Sequence, residues 1–261
     1  AGSRTLSLAA AVGPRREPAA PSGEAHGEAQ PPDPPAASLY HRVGEEIARI
    51  LEAAGSDAPF QLGTLRALAD ELVQAVVSGD DLLVQALDDT AAAFDLSRHM
   101  LNTAICAVKI GLGAEYRVEE LSWIGLAACV HDVGMVTVPR RILEKPESLG
   151  TDETALIRRH PEQGYRILAA LGPEHEWLAN TALQEHERED GSGYPRGLHG
   201  REIHEYAEIV GLADAYEALT HSRPYRRRRG PFEVVKHLIS SDRTKFPDRA
   251  LKGLIRGLSA F

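Results

Sequence analysis

The sequence predicts an all-α protein, a compact multi-helix bundle, and three observations carry that prediction. Apolar residues recur every three or four positions through most of the chain after residue 38. Strand-like alternation is nearly absent: only Val136-Thr137-Val138 reads as extended, and Pro139 ends it. Hydrophobic residues make up 43% of the 261 positions, enough for a sizeable core. No apolar run reaches the roughly 18 to 20 residues that cross a bilayer.

The elements follow in order. Residues 1–38 hold seven of the 16 prolines, many alanines and no apolar periodicity, and read as a disordered linker. Ser38 is placed to cap a helix carrying Val43, Ile47, Ile50 and Leu51 on one face, stopped near Gly55. Leu65, Leu68, Leu72, Val76 and Val77 repeat the pattern, and Leu82, Leu83 and Leu87 follow a turn at Gly79-Asp80. Residues 39–92 thus form an N-terminal helical segment without catalytic pattern, either packed on the rest as an extension or paired with a second copy in a homodimer. Further helical runs lie near 94–112, 117–131, 152–171, 173–187, 204–221, 231–240 and 247–258. The missing initiator Met and the abrupt end at Phe261 read as a fragment of a longer protein.

Charge and cysteine content narrow the function. The chain has 38 acidic and 29 basic residues, a net charge of −9, which argues against a nucleic-acid polymer or an anionic membrane as partner. Two cysteines, Cys106 and Cys129, are too few for a disulfide framework or a thiolate zinc site. The 11 histidines are more informative, because several interrupt apolar helices. The apolar run from Ile124 to Val130 leads straight into His131-Asp132, and Asp214 sits among Val210, Leu212, Ala213 and Ala215. A buried carboxylate needs a partner or a shifted pKa. Taken alone, each intrusion reads as structural, His131-Asp132 as a hydrogen-bonded pair and Asp214 as a cap or ion pair. Together they admit a shared divalent metal. Asp95 and His99 stand four residues apart on one predicted helical face, either as a two-ligand arm or as an ordinary i,i+4 pair. His160 and Glu185-His186 add the same donor types, and a nitrogen and carboxylate set without thiolate suits Mn, Fe or Zn.

The motifs then form a recognisable series. His131-Asp132-Val133-Gly134 precedes Glu187-Arg188-Glu189-Asp190-Gly191-Ser192-Gly193-Tyr194-Pro195, with Ile142 to Pro146, His160-Pro161-Glu162-Gln163-Gly164, Ala213 to Thr220 and Arg223-Pro224-Tyr225-Arg226 between and beyond. In order and spacing residues 93–261 resemble the HD-GYP family of the HD phosphohydrolase superfamily. The resemblance implies a helical domain in the bacterial cytoplasm that hydrolyses the second messenger cyclic di-GMP to pGpG or GMP, with an upstream sensor or receiver domain. It implies two or three divalent ions, Fe or Mn foremost and Mg, Zn or Ni as options. By position, His99, His131, Asp132 and Asp214 would hold one ion. Asp132 would bridge to a second held by His160 and His186, with His131 and Asp132 as the catalytic pair. Asp95 would serve a third ion, and Tyr194, Arg223 and Arg226 would face the dinucleotide.

Two positions depart from the family. Met135 stands where a Lys follows His-Asp-x-Gly, and a thioether can neither donate a proton nor offset phosphate charge. Glu185 replaces the first of two adjacent histidines; it can still ligate a hard metal but adds negative charge. Glu217 for the usual Asp reads as minor. The departures leave open a catalytically weak module that binds the dinucleotide or a partner, and the wider superfamily leaves open another phosphoester. Cys129 reads as a core thiol, Trp123 and Trp177 as packing residues, and the remaining histidines, His221 among them, as surface or capping residues.

Overall fold

A computed structural model describes residues 35–79, 82–87, 95–145, 147–221 and 228–258. Twelve α-helices are found among these residues: α1 (Pro35–Gly55), α2 (Gly63–Ser78), α3 (Leu82–Ala86), α4 (Leu96–Gly113), α5 (Val118–Val130), α6 (Arg140–Leu143), α7 (Thr151–Ile157), α8 (His160–Ala169), α9 (Glu176–Gln184), α10 (Glu205–Thr220), α11 (Pro231–Ser240) and α12 (Asp248–Leu258). Among the described residues no strand forms, and the one isolated β-bridge joins Asp190 to His199. No described helix is long and apolar enough to cross a membrane.

The core explains the arrangement. α4 is buried along nearly its whole length, from His99 through Val108 and again at Ile110 and Gly111. Such a helix must be wrapped on all sides. α5 and α12 pack along it, and α10 lies against it as well. α1 and α2 cover what remains, with Val43, Ile47, Ile50, Leu65, Leu72 and Val73 joining Leu101, Ile105, Ile124 and Ala128 in one continuous apolar cluster. The N-terminal helices therefore share the core of the bundle. Tyr40 of α1 donates a 2.6 Å hydrogen bond to Asn102 of α4. A smaller apolar cluster of Met135, Val138 and Ile142, with Leu96, Leu143, Leu149 and Ile157 against it, lies beside the main one.

Several sequence expectations need correction. α1 starts at Pro35, so Ser38 lies inside the helix rather than capping it, and the proposed linker of 1–38 overlaps its first turn. The rest of that linker, residues 1–34, lies outside the described residues. Val136-Thr137 is not extended. A 3-10 turn spans Val133–Thr137, and only Val138 takes an extended backbone. The single run expected over 152–171 is two helices, α7 and α8, interrupted at Arg158-Arg159. Pro161 is the reason: it has no N–H for the carbonyl of Ile157, and its ring collides with that carbonyl in a continuous helix. The run over 173–187 opens as a 3-10 turn at Pro173–His175 and its α-helix ends at Gln184. Glu185, His186 and Glu187 thus lie just past a helix end.

Candidate metal centre

Seven candidate side chains, His99, His131, Asp132, His160, Glu185, His186 and Asp214, are brought together by helix termini or buried helix faces. His131 ends α5, and its Nδ1 lies 2.8 Å from the carbonyl of Ala128. His160 opens α8, and its Nδ1 lies 2.8 Å from the carbonyl of Ile157, which Pro161 leaves without an N–H partner. A carbonyl only accepts, so both Nδ1 atoms carry hydrogen and both Nε2 atoms present a lone pair in the neutral ring. His99 of α4 places Nδ1 2.6 Å from Oε2 of Glu217 on α10, which fixes the same tautomer. One turn earlier on α10, Asp214 has Oδ1 3.2 Å from His99 Nε2.

Asp132 stands between the histidines. Its Oδ1 is 3.1 Å from His160 Nε2, and its Oδ2 is 3.5 Å from His99 Nε2 and 3.7 Å from His131 Nε2. Two groups of mutually close donor atoms result, His99 with His131 and Asp214, and Asp132 with His160, Glu185 and His186. Nearly all are buried: His131 and Glu185 are 0% exposed, His160 2% and His99 4%. The Nε2 atoms of His131 and His160 and both oxygens of Glu185 are buried without a hydrogen-bond partner. Unpartnered buried polar atoms are costly. Two donors each about 2.1 Å from one ion stand up to about 4.2 Å apart, which fits the spacings around Asp132. The donor set therefore fits divalent metal.

Two glycines allow this convergence. A Cβ on Gly134 would run into the carbonyl oxygen of His160 and the amide of Gly164, so the turn after His131-Asp132 can close on α8 only without a side chain. A Cβ on Gly211 of α10 would strike the carbonyl oxygen of Glu185. That close approach sets Asp214 beside His186, with Nδ1 and Oδ2 3.9 Å apart. At the mouth, Tyr194 stacks on the His186 ring at 4.7 Å, and the Arg158 guanidinium lies 5.0 Å over Tyr194.

The imidazoles and carboxylates of the cluster shift one another's proton affinity. Burial opposes charge on His99, but Glu217, Asp132 and Asp214 outweigh it and raise its pKa well above the usual value. Burial likewise opposes charge on His160, yet Asp132 and Glu185 lift it to about 9. Asp132 is held well below the carboxylate range by His131, His160 and His99 in spite of its burial. Burial and the neighbouring His160 push His186 down to about 3. Metal must displace the protons on His99 and His160, so uptake is expected to release protons. It should also weaken as pH falls below about 9, by up to about tenfold per unit for each proton displaced. Calorimetric titration in two buffers of different ionisation enthalpy checks this, and equal heats in both would refute it.

The structure does not bring Asp95 to the centre. Asp95 is exposed and caps α4, its Oδ1 accepting from the Ser97 amide at 2.9 Å, the Ser97 hydroxyl at 2.8 Å and the Arg98 amide at 3.3 Å. The same-face argument fails because Asp95 precedes the first helical turn and its side chain turns to the free amides there. Arg223 and Arg226 lie outside the described residues.

Sequence reasoning also undervalued Glu217. It is buried, orients His99, and its other oxygen lies 3.3 Å from Nδ1 of His221, a buried residue rather than a surface one. Asn102 links that ring at 3.5 Å back to Tyr40. The i,i+3 spacing of Asp214 and Glu217 was the available signal. Glu217→Gln is expected to lower metal affinity about 10- to 100-fold while the fold persists, as read by metal titration and circular dichroism. Glu187 was also missed as a structural residue: its carboxylate accepts from the amides of Arg196 at 2.7 Å and Leu198 at 2.9 Å and holds the loop that carries Tyr194.

The family model described as HD domain matches residues 84–251. The chain belongs to the HD domain family. Among curated relatives of this HD domain chain is the cyclic di-GMP phosphodiesterase response regulator RpfG of Xanthomonas campestris, 35% identical over 177 residues, covering 67% of this chain and 45% of the relative. The cyclic di-GMP phosphodiesterase PA4108 of Pseudomonas aeruginosa is 32% identical over 173 residues, covering 66% and 41%. The 3'3'-cGAMP-specific phosphodiesterase 1 of Vibrio cholerae is 31% identical over 202 residues, covering 74% and 44%. The HD domain chain thus spans less than half the length of these relatives. Among solved structures, Bd1817, an HDG"Y"P protein of Bdellovibrio bacteriovorus, shares the fold with a TM-score of 0.63 at 16% identity, over 84% of this chain and 70% of that one.

Proposed function

We propose that this HD domain is a metal-dependent phosphodiesterase of cyclic dinucleotides, with cyclic di-GMP as substrate and pGpG or GMP as product. The observation that carries the reading is the pair of donor groups beside Asp132, in which Nε2 of His131, Nε2 of His160 and both oxygens of Glu185 are buried without a hydrogen-bond partner. His99, His131, Asp214 and Asp132 would hold one ion, and Asp132, His160, Glu185 and His186 the second, with Fe or Mn favoured by the carboxylate-rich donor set. Such ions supply Lewis-acid activation of water and of the phosphate oxygens. The protein's own part is to fix the donors: Ala128, Ile157 and Glu217 hold the three imidazoles in one tautomer. Tyr194, stacked on His186, and Arg158 over its ring would offer an aromatic side chain and a positive charge toward a phosphate. Arg223 and Arg226 remain candidates for the same task by family position. Action in the cytoplasm, as a homodimer or under a sensor or receiver domain, belongs to the same reading.

The test is hydrolysis of cyclic di-GMP and of 3'3'-cGAMP by purified protein loaded with Mn or Fe, with metal content measured on the same sample. Metal-loaded protein that cleaves neither dinucleotide rules the reading out. A second reading, a slow enzyme or a dinucleotide-binding module, is favoured by Met135, which packs into the small apolar cluster with Val138 and Ile142. Under that reading Met135→Lys with Glu185→His raises a weak rate by about tenfold or more, the worth of one charge-assisted hydrogen bond.

A further inference from the structure

Glu185 is the most deeply buried carboxylate of the centre, at 0% exposure. An ionised carboxylate at such a place is costly unless it is paired. Its backbone is held, with its carbonyl against Gly211 and accepting from Arg188 Nη1 at 2.9 Å. Its two oxygens do not face the same imidazole. Oε1 lies 3.3 Å from Nε2 of His160, and Oε2 lies 4.0 Å from Nε2 of His131. These histidines belong to different donor groups; each Nε2 is buried without a hydrogen-bond partner and, in the neutral ring, offers a lone pair because its Nδ1 is committed to a backbone carbonyl. Asp132 spans the same two rings, Oδ1 toward His160 at 3.1 Å and Oδ2 toward His131 at 3.7 Å.

We infer that Glu185 is a second carboxylate bridge, parallel to Asp132, between the two metal positions, and that it biases the centre toward Mn²⁺ over Zn²⁺. The inference rests on the metal-centre reading above and goes beyond it in what it assigns to Glu185. An imidazole at this position could serve one ion only, whereas a carboxylate reaches both. It also replaces a nitrogen donor with hard, charged oxygen. Hard oxygen donors suit Mn²⁺, and imidazole suits Zn²⁺. With Asp132 and Asp214 it brings three negative charges to the four neutral imidazoles, so the pair of ions is held more tightly and their excess positive charge is smaller.

The experiment titrates Mn²⁺ into the metal-stripped full chain, following free Mn²⁺ by electron paramagnetic resonance, and repeats the titration against competing Zn²⁺. Wild type is expected to take up two Mn²⁺ per chain. Glu185→Gln should raise both Mn²⁺ dissociation constants by about tenfold or more, since residues one shell further out already carry about 10- to 100-fold. Glu185→His, which supplies a donor for one ion but no bridge, should move the Mn²⁺-to-Zn²⁺ preference about tenfold toward Zn²⁺. Should Glu185→Gln fail to fold, Glu185→Asp keeps the charge, shortens the reach by one methylene and should weaken both sites too. Glu185→Gln or Glu185→Asp with either Mn²⁺ constant at the wild-type value, or a wild type that holds a single ion, overturns the bridge but not the metal centre. Wild type that binds no metal overturns the metal centre itself.

Discussion

Asp132→Asn is expected to empty the proposed metal centre and to lower the proposed dinucleotide hydrolysis by about 10³-fold or more, the scale of several kcal/mol of lost charge stabilisation. The reason lies in its position. Its two oxygens lie between 3.1 and 3.7 Å from three imidazole nitrogens drawn from both donor groups. Among the described residues no other carboxylate lies within 4 Å of His99, His131 and His160 together. The amide keeps the shape but carries no charge and offers one oxygen where two are needed, so the two proposed ions would lose their shared ligand. Elemental analysis beside a product assay reads the result, and unchanged metal content in the variant would contradict the geometry.

Gly134→Ala is expected to be the most damaging change of a residue that touches neither metal nor substrate. One methyl group would meet the backbone of His160 and Gly164, and backbone cannot rotate away as a side chain can. α8 must shift, and His160 with it. Overpacking of this kind costs about 1–3 kcal/mol, and a shift of about 1 Å in a ligand costs about 10²-fold in rate. Thermal unfolding and a turnover assay measure the two effects separately. Loss of stability with full activity would mean that the collision is absorbed away from His160.

The helices were legible because their signals are local. The runs predicted over 231–240 and 247–258 match α11 and α12 almost residue for residue, each with apolar residues at helical spacing. The errors fell where a few backbone bonds outweigh side-chain pattern. Pro161 splits one expected helix into two, and the presumed strand at Val136 closes as a 3-10 turn because Gly134 lets it fold against α8. The linker boundary missed because Ser38 is a good cap in isolation but the helix already runs from Pro35.

For the site, donor identity was readable and donor geometry was not. His99, His131, Asp132, His160, Glu185, His186 and Asp214 stand out as polar residues in apolar or motif surroundings, and the structure gathers all seven. Asp95 had the same spacing signal yet points to the free amides of a helix start. Periodicity assigns a face only to residues inside a helix. Glu217 looked ordinary until α10 laid it against His99, 118 residues away in sequence. Thus composition, apolar spacing and motif order were enough by themselves for an all-α bundle with a histidine and carboxylate centre. Only the tertiary structure decided which carboxylate orients, which caps and which spans two imidazoles. Those roles depend on distances of a few ångströms between residues that approach one another only after the helices pack.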